Sequence, residues 1–298
     1  MILSNKNARV LVQGITGTSG KTAAKLMLEY GTKVVAGVTP GKGGQEVEGV
    51  PVYNSVSEAL KNHPEINVST VYVPNFAAKD AVFEAISNGI KLINVITEGI
   101  AISDTVQMIR YAQLNNARIV GPSSIGIISP EEFRFGVVGG SKENVEKIYK
   151  KGSIGVISKS GGMTNESAWI VRQAGLGQST VIGIGGDVIL GTTFADLLLL
   201  FEKDDQTKGV VIFGEPGGNY ENQIADLIKD KKFTKPIAAF IAGKFTENMP
   251  HGMKFGHAGV LLEGESTTPH YKIKVLREAG VLVADRHDQI GELIKSAI

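Results

Sequence analysis

Short apolar runs dominated by Val and Ile recur along the chain, and each is followed by a stretch with helical spacing. In the first half the runs fall at residues 9–13, 33–38, 70–74, 92–96 and 118–121. Helical spacing occupies 21–30, 55–61, 77–87 and 104–115. Runs without in–out alternation suit strands buried on both faces, and strand-then-helix order implies right-handed βαβ crossovers. Residues 130–152 break the rhythm, with Gly139 and Gly140 followed by the charged stretch 142–151. This segment reads as a connection. A second series follows, with strands expected at 153–158, 179–184, 209–213, 236–241 and 281–284. Its helices are expected at 163–174, 193–202, 221–231, 269–279 and 288–297. The pattern predicts two α/β domains with parallel sheets, residues 1–129 and 153–298, joined by 130–152. Residues 243–268 lack periodicity, and a loop of that length in a compact domain is usually functional.

Composition narrows the chemistry. The 298 residues carry 31 basic and 30 acidic side chains, so no surplus of positive charge points to nucleic acid or to an anionic membrane. Cysteine is absent, which excludes disulfides, thiolate nucleophiles, Cys-ligated zinc and iron–sulfur clusters. A covalent intermediate must therefore sit on Ser, Thr, Lys, His or a carboxylate. No metal site is expected in this chain. The first residues are too polar for a signal peptide and no apolar run is long enough to span a bilayer, so the expected location is cytoplasmic, away from the membrane.

Many of the 37 glycines stand directly after apolar runs, where backbone can approach a ligand closely. Gly14, Gly17 and Gly20 follow the first run and open the first helix, so the helix amides favour an anion. A P-loop needs glycine where Ile15 stands, and the dinucleotide fingerprint needs G-x-G-x-x-G where this loop is G-x-x-G-x-x-G. The second run ends not in the acidic residue of an NAD site but in Thr39, Pro40, Gly41, Lys42, Gly43 and Gly44. A lysine among glycines suits a phosphorylated cofactor; a loop that merely connects strand to helix is the alternative. Of five histidines, His63, His251, His270 and His287 read as ordinary surface residues. His257 differs: Gly256, Ala258 and Gly259 flank it and leave an imidazole open to a bulky reactant. Two strand-end loops can serve it. Ser160, Gly161 and Gly162 open a helix and can hold an oxyanion or phosphate, and Glu215 can orient the imidazole through its second nitrogen.

GVTPGKGG (37–44), VITEG (95–99), SKSGGMTNE (158–166), GIGGD (183–187), GEPGG (214–218) and GHAG (256–259) occur in the order found in succinyl-CoA synthetase α subunits. The whole chain resembles the α (small) subunit of the succinyl-CoA synthetase / acid–CoA ligase family. The resemblance implies an N-terminal Rossmann-like CoA-binding domain followed by a flavodoxin-like parallel-sheet ligase domain. It implies a partner β subunit with an ATP-grasp domain that binds ATP or GTP with Mg²⁺. The nucleotide phosphorylates the histidine that matches His257, the phosphoryl group passes to a carboxylate, and CoA displaces phosphate from the acyl phosphate. The motif match implies that Thr16, Gly17, Thr18, Ser19, Lys42, Pro74, Ile96, Thr97 and Glu98 contact CoA. It implies that Ser160, Gly161 and Gly162 cradle the phosphohistidine and that Glu215 orients it.

Three stretches depart from succinyl-CoA synthetases. SGGMTNE replaces SGTLTYE and puts Asn165 where a tyrosine is associated with the acid site; GPSSIG (121–126) replaces GPNCPG; and FGHAG follows Met253 and Lys254. SGGMTNE and FGHAG resemble ATP-citrate lyase and citryl-CoA synthetase instead. Asn165 offers both a donor and acceptors to a hydroxylated acid, which tilts the expected acid toward citrate, with succinate as the alternative. A non-catalytic CoA sensor is the reading from another class, but a sensor needs no nucleophile. An NAD-dependent oxidoreductase fails on the residues after the second strand.

Overall fold

The computed structural model describes residues 2–249, 256–262 and 264–298, so His251, Met253, Lys254 and Phe255 lie outside the described residues. The first domain follows the predicted alternation: β1 (Arg9–Gln13), α1 (Thr18–Glu29), β2 (Lys33–Val38), β3 (Glu46–Val47), β4 (Val50–Tyr53), α2 (Val56–Asn62) and β5 (Val68–Val71). It continues with α3 (Ala78–Ser87), β6 (Leu92–Val95), α4 (Ile102–Leu114) and β7 (Arg118–Val120). The sheet order is β3-β4-β2-β1-β5-β6-β7, parallel except for the β3–β4 hairpin. Strand order reverses at β1, so the loops after β1 and β5 open side by side at the sheet's carboxyl edge, where such folds bind ligands.

The boundary between domains falls earlier than expected. β8 (Gly126–Ser129) and β9 (Phe133–Gly136) pair antiparallel and join the second sheet through β11. They were not predicted because each is four residues long and bounded by glycines with left-handed backbone, Gly126 (φ 125) and Gly136 (φ 80). Within the expected connection, 130–152, lie β9, α5 (Lys142–Ile148) and the first residues of β10 (Lys151–Ser158). Then come α6 (Gly161–Gln173), β11 (Gln178–Gly183), α7 (Phe194–Glu202), β12 (Gly209–Gly214), α8 (Asn222–Lys229), β13 (Ile237–Ile241), α9 (Pro269–Glu278), β14 (Leu282–Val283) and α10 (Ile290–Lys295). This sheet runs β14-β13-β12-β10-β11-β8-β9 and reverses at β10.

The domains share one seam. Val10, Val12 and Met27 belong to the same buried cluster as Phe133, Phe135 and Ile182, so α1 is covered by both sheets. Arg134, 1% exposed, clamps the seam. Its backbone exchanges hydrogen bonds with the Thr32 hydroxyl at 2.9 and 3.0 Å, and its guanidinium donates to Leu26 O and Gly140 O. Among the described residues no helix is long and apolar enough to cross a membrane.

His287 is not the surface residue expected. It packs against Phe213 and Phe240, its Nε2 lies 2.9 Å from Ser167 Oγ, and burial pushes its pKa down to about 4 against the pull of Asp288. The fold therefore favours the neutral ring. Its contribution to stability is complete above the unfolded pKa near 6.5 and is lost as pH falls toward 4. Thermal unfolding of His287→Phe should lose a few degrees less than the parent between pH 7 and 4.5. Identical acid limbs would remove His287 from the account.

Candidate active site

The loops at the two reversal points face each other. In the first domain a cleft of about 650 Å³ is lined by Gly14, Thr16, Gly17, Val38, Thr39 and Pro40 from the β1 and β2 ends, with Tyr72, Val73 and Pro74 after β5. Gly14 adopts φ 81, and a Cβ on Gly20 would stand 2.2 Å from Gly14 O. The glycine spacing therefore packs α1 tightly on its loop, and α1 begins without a side-chain cap, leaving first-turn amides for a ligand.

Tyr72, Val73 and Pro74 also line a second cleft of about 690 Å³ that reaches the ligase domain. Its walls include Ser19, Ile96, Thr97 and Glu98 on one side and Ser160, Gly161, Gly162 and His257 on the other. Thr97 Oγ1 donates to Val73 O at 2.7 Å and Asn75 Nδ2 to Gly99 O at 3.0 Å, which ties the two first-domain loops together. Of the residues expected to contact CoA, Thr16, Gly17, Ser19, Pro74, Ile96, Thr97 and Glu98 line these joined clefts. Thr18 opens α1 beside them, and Lys42 is exposed on the neighbouring loop, whose Gly41 and Gly43 amides donate to Asn54 Oδ1.

His257 and Glu215, 42 residues apart, meet here. His257 Nδ1 lies 2.8 Å from Glu215 Oε2 and 3.0 Å from Oε1. The His257 side chain is 37% exposed, while that of Glu215 is 10% exposed. The hydrogen bond to Glu215 raises the imidazole above its ordinary value; partial burial opposes it, the Glu215 charge adds to it, Lys159 lowers it and Asp187 raises it. With Nδ1 held by a carboxylate, Nε2 is the nitrogen left for chemistry. The ring rests on Gly186: a Cβ there would stand 2.4 Å from His257 Cγ. Gly186→Ala should displace the imidazole from Glu215 and bring the His257 titration, followed by NMR, down toward the ordinary imidazole value, with melting nearly unchanged. A parent-like titration in that variant would contradict the seating described.

Opposite the imidazole, α6 begins at Gly161 with Ser160 as its N-cap, and no acidic residue occupies its first turn. Its early amides have no partner inside the helix and are free to hold an anion. Asn165 is placed differently from expectation. Its Oδ1 accepts from Gly139 N at 2.8 Å and from the Tyr149 hydroxyl at 2.7 Å, and the residue is absent from the cleft wall. Its carbonyl is used to fasten the Gly139–Gly140 turn onto α6.

Sequence reasoning missed several members. Ile125 and Val137, which line the cleft, flank the unpredicted β8–β9 pair. Asp187 was noticed only as part of a glycine loop. Its Oδ2 is buried without a partner among the described residues, and burial, then Glu98, push its carboxyl above the usual range against His257. A buried ion cluster lies beneath Glu215. Glu221, fully buried, pairs with Lys272 at 2.6 Å and Lys159 at 3.8 Å. Burial pushes Glu221 up, but Lys159 and Lys272 outweigh it and hold the carboxyl below its ordinary range.

Such a structure is a two-domain α/β enzyme with a glycine-loop cleft that ends at a carboxylate-held histidine. Residues 5–99 match the CoA binding domain and residues 157–283 the CoA-ligase domain. The chain is 44% identical to the ADP-forming sulfoacetate–CoA ligase subunit SqwL of an Acholeplasma species, over 99% of this chain and 97% of that one. It is 44% identical to the α subunit of ADP-forming succinate–CoA ligase from Staphylococcus epidermidis, over 99% and 94%. It superposes on ATP citrate lyase of Methanothrix soehngenii, in complex with citrate and coenzyme A, with a TM-score of 0.93 at 27% identity. The match covers 99% of this chain, which spans half the length of that lyase chain. The chain belongs to the succinyl-CoA synthetase / acid–CoA ligase family as an α subunit, and it is an acid–thiol ligase whose first domain binds CoA.

Proposed function

We propose that this α subunit activates a carboxylic acid that carries a second anionic group, through phospho-His257 and an acyl phosphate. The observation that carries the reading is the His257–Glu215 pair standing across one cleft from the Ser160–Gly162 turn. Nε2 takes the terminal phosphoryl group of a nucleoside triphosphate, and Glu215 stabilises the imidazolium that results. The cradle amides hold the phosphoryl oxygens while a substrate carboxylate attacks phosphorus and the P–N bond breaks. The CoA sulfur, delivered along the cleft, then attacks the acyl carbon and phosphate leaves. This chain has no P-loop, so ATP or GTP with Mg²⁺ belongs to the partner, an ATP-grasp β subunit.

Sulfoacetate, succinate and citrate, named for the relatives, all pair a carboxylate with another anionic group. Among the described residues the second cleft is lined by no lysine or arginine, and its charged members are Glu98 and His257. A cation for the distal anion must come from elsewhere, and the partner subunit is the natural source. Asn165, with its carbonyl engaged, lends citrate no support; the SGGMTNE and FGHAG motifs keep it beside succinate and sulfoacetate as a candidate. The test is acyl-CoA formation by the purified two-subunit complex on a panel of acids. One of these three should exceed acetate by at least about 10²-fold in kcat/KM, the discrimination a site built for a polar group achieves. A preference for acetate, or turnover without acid-labile phosphate on the chain, overturns the reading.

A further inference from the structure

We propose that Lys272 is a positioning residue for the reacting histidine: its buried ammonium group pegs the turn that presents Glu215 to His257. The proposal rests on His257 as the nucleophile. Lys272 lies on α9, 57 residues along the chain from Glu215, and its side chain is fully buried. Its Nζ donates to Glu215 O at 2.8 Å, Gly217 O at 2.5 Å and Glu221 Oε2 at 2.6 Å, which uses all three of its donors. Glu221 completes the grip, since its Oε1 accepts from Glu215 N at 3.1 Å. Both backbone polar groups of Glu215 are thus held by the buried pair.

The same turn underlies the chain that carries the histidine. Gly217 adopts φ 83, and a Cβ there would stand 2.1 Å from Gly259 O and 2.7 Å from Leu261 N. Glu215 therefore reaches His257 from a floor on which the residues just beyond His257 lie. Burying an ammonium group is costly unless it is paired and hydrogen-bonded, and packing of α9 alone would be served by Leu or Met. Here every bond the ammonium makes ends on the Glu215 turn or on the carboxylate that holds it.

Lys272→Met tests this without stranding a charge, because Glu221 keeps Lys159 at 3.8 Å. It removes the donor to Glu215 O, Gly217 O and Glu221 Oε2 and one buried positive charge, whose loss alone would raise the imidazole, so a downward shift reports the displaced Glu215. The charged groups facing His257 are Glu215, Lys159, Asp187 and, across the cleft, Glu98; the variant alters none of these four residues. In the full-length chain with labelled histidine, the His257 titration followed by NMR should move down toward the ordinary imidazole value. Phosphorylation in the two-subunit complex should slow about tenfold, with CoA affinity by calorimetry within about twofold. Lys272→Gln, which retains a donor, should fall between parent and Met and serves if the Met variant does not fold. A parent-like His257 titration in either folded variant overturns the proposal. So does an equal loss of CoA affinity and phosphorylation, which marks general damage. The titration needs no phosphoryl transfer. A parent that titrates high yet never takes phosphate on His257 therefore sinks the proposed function and not the positioning role.

Discussion

His257→Ala should bring incorporation of acid-labile phosphate from a labelled nucleoside triphosphate to background and reduce acyl-CoA formation by about 10⁴-fold or more. Both phosphoryl transfers of the proposed cycle pass through Nε2, and the chain has no cysteine to substitute. CoA affinity should stay within about twofold, because the first-domain cleft of about 650 Å³ is built from other loops. The variant leaves Glu215, 10% exposed, without its ring partner, so melting should fall by a margin consistent with about 1–3 kcal/mol. His257→Gln places an amide beside that carboxylate and should regain part of this stability without regaining phosphate. Persistent labelling of His257→Ala on His63, His251, His270 or His287 would remove His257 from its role. Loss of CoA binding in both variants would mean that the imidazole belongs to the cofactor site.

Much of this architecture was legible because parallel strands buried on both faces leave Val- and Ile-rich runs. β1, β2, β10 and β12 fall within one or two residues of expectation at both ends. The glycine loops were legible for a related reason: a strand-end glycine has no packing purpose of its own. Antiparallel β8 and β9 left no such mark. β9 is FRFG, and its arginine reads as a solvated residue while the fold buries it at the seam. Lys272 was hidden in the same way. In PHYKIKVLRE two lysines look equivalent, yet Lys272 is buried and Lys274 is exposed. A charge that enters the core to hold a distant loop has no local signature, because its partners, Glu215 and Gly217, are some 55 residues away. The hydrogen bonds of Asn165 were hidden on the same ground. Its helix position was right, but its partners Gly139 and Tyr149 come from the segment taken as a connection.

Glu215→Gln should separate the ring's orientation from its mere presence. In the parent the carboxylate fixes the proton on Nδ1, so that the Nε2 lone pair faces the cleft, and it stabilises the positive charge that develops as Nε2 takes the phosphoryl group. Glutamine is nearly isosteric but neutral, and it can turn its amide donors toward Nδ1, which favours the wrong tautomer. By analogy with a triad carboxylate changed to its amide, the plateau rate of His257 phosphorylation should fall by about 10²–10⁴-fold. The pH profile carries the second half of the prediction. Phosphoryl transfer needs the neutral ring, so the parent rate should rise with pH through a midpoint above the ordinary imidazole value, because Glu215 raises His257. Removing that charge lowers the ring's pKa, so the variant should reach its lower plateau at a lower pH. Lys159, which lowers the ring's pKa, then acts without its counterweight and pushes the midpoint the same way. Single-turnover phosphorylation of the complex between pH 5.5 and 8.5 would measure both quantities. An unchanged plateau with a shifted midpoint would reduce Glu215 to a distant charge. An unchanged midpoint with a lowered plateau would mean that its carboxylate acts by shape alone.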